Sequence, residues 1–597
     1  MASPACAATV TEVEEKKLLS CYQCRSRKLK CNRVWPCSRC LASGAECQFP
    51  TSRQKPKEPI KRPRFKQLES RLHELEHRFK DDETSPSHEN GNSAPGGADY
   101  PTPISSSSEL LYTGRFEQQP PQDIVDELTN LYFLHLYPNA PMQHPGRYFA
   151  SLLKPPHLQP PMCLQYIILA LGATVSPQHK HLALPFYQRA KNYLHYDDMT
   201  DDGYLGVTVA HAQCWVLLSH FEAKQLWFTR APASISRSVR LAQMLGLDSI
   251  DGGPSGLQSV LPPAKDWIEQ EERRRTMWSV FCTDLDTSST TNWPTMLRPD
   301  TIYTLLPASD ESFIGGFEEA SVSLNRALKN PASPYSTYAC RILGSLLYHE
   351  CANHTMQTYS TDQRSDDAHQ GQFDTPTSED FSRTHQHLDN RLALMFMALP
   401  DSLVHPSSLD GRPDAAPIVL KLHTSVIAIH RKLTARVRDA GASPSGTSDP
   451  AVAEGQLAAS SARMLVSADQ IFSLLVTTSR DPTVDFSNVF VTFGAFMASF
   501  AYLEDYTATQ NPASEQKLGV LMDLLVAGAE SNSIAASLAV QLGHEMYKSG
   551  MDRSALGKVM HIINKLQPDY QDNLMGQQDE KSGGTVFCPL AKMFPKA

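Results

Sequence analysis

Six of the thirteen cysteines in this 597-residue chain fall between positions 21 and 47. They are Cys21, Cys24, Cys31, Cys37, Cys40 and Cys47, within CYQCRSRKLKCNRVWPCSRCLASGAEC. The gaps are 2, 6, 5, 2 and 6 residues, so one unit, C-x2-C-x6-C, is used twice. Two residues between cysteines let both thiolates reach one tetrahedral ion, which makes C-x2-C a usual zinc clasp. Six sulfurs cannot serve two separate four-coordinate ions, which need about eight ligand positions. Two sulfurs must be shared, and a binuclear site holding two Zn²⁺ ions with two bridging thiolates closes the count. A unit with so little apolar material depends on metal binding to fold.

Charge and compartment agree with this reading. Residues 21–80 carry sixteen Lys/Arg against five Asp/Glu, in a chain whose total charge is −9. A compact basic block on an acidic protein points to a polyanion as that block's partner. The first twenty residues have no apolar stretch of signal-peptide length and include three Glu. The least charged later run, Val489 to Leu503, is too short for a membrane span and reads as a buried helix. A cytosolic or nuclear chain keeps its thiols reduced, so metal ligation explains the cluster better than disulfides. The other cysteines (Cys6, Cys163, Cys214, Cys282, Cys340, Cys351 and Cys588) are scattered and read mostly as small core residues.

These residues closely resemble the Zn(2)-C6 fungal-type binuclear cluster, the DNA-binding module of fungal transcription factors. The resemblance covers about residues 21–50. It implies that Cys21 and Cys37 bridge the metals and that Pro36 lies in the loop joining the halves, where a cis bond is expected. A short basic helix is expected over Arg25–Lys30, and modules of this type place such a helix in the major groove. By the same resemblance Lys28, with Arg27 beside it, reads a CGG triplet through guanine O6 and N7. Arg25, Lys30 and Arg33 are expected to hold phosphates. Spacing alone does not separate base contacts from generic phosphate contacts.

Residues 48–64 form a basic, Pro-rich linker that also reads as a nuclear localisation patch. In FKQLESRLHELEHRF, Phe65, Leu68, Leu72, Leu75 and Phe79 recur at intervals of 3, 4, 3 and 4, a coiled-coil seam. With Phe65 at position a, Arg64 and Arg71 face Glu69 and Glu76 of a parallel partner, so the pattern favours a homodimer. The alternative is a lone amphipathic helix docked on the body.

Residues 81–121 are polar, rich in Ser, Pro and Gly, and read as a disordered linker. From about Gln122 apolar residues recur at helical spacing and no alternating pattern persists. The expected fold class is mainly α: a small zinc module, a short coiled coil and a large all-α body. The expected divisions are a tail (1–20), the module (21–47), the linker (48–64), the dimer helix (65–80), the second linker (81–121), the body (122–567) and a second tail (568–597). Polar, mobile loops are expected near 357–385 and 438–456.

WFTRAPASISRSVRLAQMLGL, EQEERRRTMWSVFCTDLD and LRPD resemble the fungal-specific transcription factor domain, or middle homology region, over about residues 122–310 and more weakly to Gln541. Arg274, Arg275 and Asp284 there read as a structural ion network. No enzyme motif is present in workable form. His349 and His354 in HECANH are five apart, where a zincin needs four. GHEMYK lacks a second His, and GGPSGL is not G-x-S-x-G.

The expected function is a nuclear, zinc-dependent regulator of RNA polymerase II transcription that binds double-stranded DNA at CGG-type half-sites. It would act with the transcription machinery or co-regulators, activating a gene set such as a secondary-metabolite cluster. A repressor or a nutrient or stress regulator of the same family is the alternative, and a zinc- or redox-sensing protein a more distant one.

Overall fold

The computed structural model describes residues 20–27, 29–49, 120–200, 206–225, 227, 229–253, 261–330, 335–357, 378–400, 403, 416–442, 450–478, 489–529 and 533–551. The chain divides into two compact units, Met1–Thr102 and Pro103–Ala597. The seam at Phe65–Phe79, Cys6 and Cys588 lie outside the described residues.

In the first unit two short helices, α1 (Tyr22–Ser26) and α2 (Ser38–Ser43), flank a centre made of the cysteines themselves. The backbone N–H of Tyr22 donates to Gln48 O at 2.9 Å and closes the ends of the module on each other.

The second unit is helical, and its described residues hold one isolated β-bridge, Leu305 to Ser323, but no strand. Its first helices are α3 (Gln122–Leu131), α4 (Pro145–Leu152), α5 (Met162–Val175), α6 (Ala183–Met199), α7 (Val209–Lys224) and α8 (Arg230–Met244). Then follow α9 (Trp267–Thr291), α10 (Asp310–Gly315), α11 (Leu324–Lys329) and α12 (Thr337–Met356). The last are α13 (Ser378–Ala398), α14 (Ala416–Ala442), α15 (Pro450–Thr478), α16 (Val489–Thr509), α17 (Pro512–Gly528) and α18 (Ser533–Lys548).

Consecutive helices pair: α5 with α6, α7 with α8, α14 with α15, and α16 with both α15 and α17. Helix α5 is buried without interruption from Cys163 to Ala173, the mark of a helix enclosed on all sides. It approaches α3 so closely that a Cβ on Gly172 would stand 2.1 Å from Leu128 O, which only glycine permits. The Val489 run is the start of α16, with Val491, Phe493, Phe496 and Met497 buried. No helix among the described residues is long and apolar enough to cross a membrane.

Helix α9 runs through the middle of the unit against α7, α8 and α12. The Asp266 carboxylate caps it by accepting from the Glu269 N–H at 2.9 Å. Two of the three residues read as an ion network do form one. Arg274 donates to Asp251 at 2.6 and 2.8 Å. Arg275, fully buried, donates to Glu271 at 3.1 Å and Asp310 at 2.6 Å. Asp284 stands apart. Its carboxylate accepts from the Met296 and Leu297 N–H groups at 2.9 and 3.0 Å and fixes the chain after α9.

Helices reach into both stretches expected as loops. Helix α13 begins at Ser378 and buries Phe381, Leu388, Leu392 and Met395, whose spacing of 7, 4 and 3 is helical. Helices α14 and α15 likewise extend into 438–442 and 450–456. The five described cysteines of the body, Cys163, Cys214, Cys282, Cys340 and Cys351, are all buried.

Candidate metal centre and nucleic-acid interface

Each short helix of the module begins at a cysteine. The Cys21 sulfur accepts from the Cys24 N–H and the Cys37 sulfur from the Cys40 N–H, both at 3.4 Å. These are N-cap positions filled by sulfur rather than by a side-chain oxygen. The halves also match past the helices. Leu29 N–H donates to Cys24 O at 2.8 Å, and Ala45 N–H donates to Cys40 O at 3.1 Å. The sequence repeat is thus a repeat of backbone geometry.

The sulfurs form two groups of four. Cys21, Cys24, Cys31 and Cys37 lie within 4.8 Å of one another, and so do Cys21, Cys37, Cys40 and Cys47. Cys21 and Cys37 belong to both. Four sulfurs at about 2.3 Å from a zinc ion stand about 3.8 Å apart at the tetrahedral angle. The Cys21–Cys37, Cys21–Cys40, Cys24–Cys37 and Cys21–Cys31 separations are 3.8, 3.7, 3.7 and 3.9 Å. The donor set therefore fits two tetrahedral ions sharing an edge.

The electrostatics separate the shared pair from the rest. The backbone N–H of Cys40, with burial opposing it, brings the Cys37 thiol down to about 6. The Cys24 N–H lowers Cys21 in the same way. Burial pushes Cys24 up to about 12, and the bond to Cys37 pushes Cys40 up. Both sulfurs common to the two groups of four are thus lowered, and in each the largest cause is a backbone N–H.

The basic side chains are arranged outside this centre. Arg25, Arg27, Lys30, Arg33 and Arg39 are all exposed. Lys28 lies outside the described residues. The first helix spans Tyr22–Ser26 and not Arg25–Lys30, and Arg27 is its C-cap. The cause is the sulfur cap at Cys21, which starts the helix before the second ligand. Arg33 has φ of 59°, a left-handed turn between the halves. The Trp35–Pro36 bond is cis.

Sequence reasoning missed three residues here. The Asn32 side chain accepts from the Ser38 N–H at 3.3 Å at the start of α2. The Trp35 indole donates to Cys47 O at 2.8 Å, although the residue is 74% exposed. Arg39 borders, with Arg27, a groove between α1 and α2 that is also lined by Gln23, Leu29, Ala42 and Ala45. In the repeat Arg39 takes the place that Gln23 holds in the first half, so the spacing alone gives no signal for it.

Two regions of the chain match known families. Residues 19–56 match the fungal Zn(2)-Cys(6) binuclear cluster domain, and residues 129–395 match the fungal specific transcription factor domain. The chain belongs to the fungal Zn(2)-Cys(6) transcription factors. It is not an enzyme.

Relatives of this fungal transcription factor include the citrinin biosynthesis transcriptional activator of Monascus ruber, 28% identical over 372 residues that span 55% of this chain and 72% of the relative. The azaphilone cluster-specific transcription factor of Aspergillus niger is 26% identical over 343 residues, 55% of this chain and 70% of the relative. The asperfuranone cluster transcription factor of Emericella nidulans is 30% identical over 246 residues, 38% of this chain and 36% of the relative.

Proposed function

We infer that this transcription factor is a zinc-dependent, sequence-specific activator of RNA polymerase II transcription, acting in the nucleus as a homodimer on a biosynthetic gene cluster. The observation that carries the reading is the pair of four-sulfur groups sharing Cys21 and Cys37, ringed by exposed cations. The names of the relatives support the gene set.

Two zinc ions, when bound, hold the six thiolates and so fix α1 and α2 against each other. The chain's own residues then do the recognition. Lys28 and Arg27 reach guanine O6 and N7 of a CGG triplet in the major groove. Arg25, Lys30 and Arg33 neutralise phosphates and set the register. Phe65, Leu68, Leu72, Leu75 and Phe79 pair two chains, so two half-sites are read together. The helical body, with co-regulators, connects binding to the transcription machinery.

The test is transcript profiling in the source fungus with Cys37→Ser at the chromosomal locus. The expected result is loss of transcripts from a contiguous group of genes. A rise in those transcripts would make the protein a repressor, and no change would remove the proposed role.

A further inference from the structure

The helical body contains a second convergence of metal-ligating side chains, which spacing along the chain conceals. The Cys163 sulfur, an Asp197 carboxylate oxygen and a His211 ring nitrogen all lie within 4.8 Å of one another. They come from three helices: the first turn of α5, the last turn of α6 and the first turn of α7. Cys163 is 0% exposed, and the His211 and Asp197 side chains are 3% and 14% exposed. Cys214, also buried, sits one turn after His211 on α7 and against Cys163.

The imidazole is held in place from its far side. Thr208 Oγ1 lies 2.8 Å from His211 Nδ1 and also accepts the His211 backbone N–H at 3.3 Å as the cap of α7. The opposite nitrogen, Nε2, is 3.0 Å from Asp197 Oδ2. The Thr208 hydroxyl can donate or accept at Nδ1; in the tautomer in which Nδ1 donates, Nε2 presents a lone pair toward a carboxylate and a sulfur. Three electron-pair donors then face one point, and something positive must stand between them. A hydrogen bond on the outer nitrogen that fixes the ring of a metal-bound histidine is the usual arrangement at such centres.

We propose that Cys163, Asp197 and His211 form a three-ligand zinc site in the regulatory body, separate from the six-cysteine cluster. The donor set fits the metal. Thiolate and imidazole select zinc over the hard divalent cations, and a carboxylate completes common zinc sites. Ligand bonds of about 2.0–2.1 Å from nitrogen and oxygen put those atoms about 3.3 Å apart at the tetrahedral angle, so 3.0 Å needs only a small opening. One thiolate, one carboxylate and one neutral imidazole around Zn²⁺ leave no net charge, which suits a buried position. Burial also argues against the rival use of these thiols in redox sensing, since reactive cysteines sit where oxidants reach them. The bound ion would clasp α5, α6 and α7 and make the stability of the body depend on zinc.

The test is the zinc content of the full-length chain, counted by native mass spectrometry after dialysis against zinc-free buffer, beside Cys163→Ser and Asp197→Asn. The expected result is one zinc fewer in each variant than in the wild type, whatever number the N-terminal cluster holds. Circular dichroism confirms that the variants compared are folded. Asp197→Asn keeps the volume and a hydrogen-bonding oxygen, so it isolates the ligand effect if Cys163→Ser does not fold. Equal zinc in the wild type and a folded Asp197→Asn chain, with the same rise in melting temperature on adding zinc, would overturn the proposal and leave a proton on His211 as the positive partner.

Discussion

Cys21 Sγ and Cys37 Sγ lie 3.8 Å apart, and each caps the helix that follows it. This pair is the hinge of the metal centre, because every other sulfur belongs to one group of four and these two belong to both. Substituting one of them should not be equivalent to substituting an outer cysteine. Cys37→Ser is expected to lose both zinc ions of the cluster, whereas Cys31→Ser or Cys47→Ser removes a ligand from one group only and leaves one ion bound. Metal counting on the variants, relative to the wild type, checks this.

Base reading and phosphate contact differ in how they respond to salt. Lys30→Ala is expected to weaken binding to all duplexes alike and to reduce the slope of log K against log salt by about 0.9. Lys28→Ala is expected to cost about 1–3 kcal/mol on the preferred site and to relax selection at the guanine positions. Titrations of preferred and scrambled duplexes at several salt concentrations separate the two.

On the proposed pairing of two chains, the seam at Phe65–Phe79 sets how many half-sites are engaged. Leu72→Asp places a charge in the middle of the seam. It is expected to reduce affinity for a paired site to that for a single half-site while leaving the zinc content unchanged. A variant that still binds paired sites cooperatively would assign the helix to the body instead.

In the body, Arg275 is a costly charge to disturb. It is fully buried, bonded to Glu271 and Asp310, and donates to Ala308 O at 3.0 Å while stacking over Phe313 at 4.1 Å. Arg275→Met leaves the fully buried Glu271 carboxylate with less compensation. Removing one partner from such a pair costs about 3–5 kcal/mol. A lowered denaturant midpoint with an unchanged zinc content is the expected outcome.

Acid should weaken the body before it reaches the usual carboxylate range. Burial pushes His220, His354, His385 and His423 down to about 4, below their unfolded value of about 6.5. Between those values the unfolded chain binds protons that the folded chain does not, so stability falls as pH falls through this window. Burial also pushes Glu272 up to about 7 and Asp284 up to about 6, and these two work in the opposite direction. Burial raises Asp248, Glu271 and Glu350 as well, but the four imidazoles each take up a proton on unfolding across this window, so the melting temperature is expected to be lower at pH 5 than at pH 7.

The sequence was informative where chemistry is local. Counting six cysteines against eight ligand positions required two shared sulfurs, and the fold brings Cys21 and Cys37 into both groups. The helical body was legible from apolar spacing, and so was the absence of strands among the described residues. The position of α1 was not, because N-cap rules look for Ser, Thr, Asp or Asn, and here a cysteine sulfur takes that place. Partners distant along the chain were also hidden. Arg275 pairs with Asp310 across 35 residues, while Asp284, nearer in sequence and of the right charge, binds backbone instead. Cys163, Asp197 and His211 come together only because α5, α6 and α7 pack side by side. In the sequence each reads as an ordinary helix residue.

The proposed role of zinc is to shape the N-terminal module into a reader of CGG triplets. The most direct measurement is selection of bound duplexes from a random DNA pool by the full-length chain, with zinc and then with a chelator, beside Lys28→Ala. Enrichment of paired CGG triplets at one fixed spacing, lost on chelation and degraded in the variant, is expected. Zinc-loaded chain that binds the pool with no enriched sequence would contradict it, and would make the cysteine cluster a metal-binding device without a sequence to read.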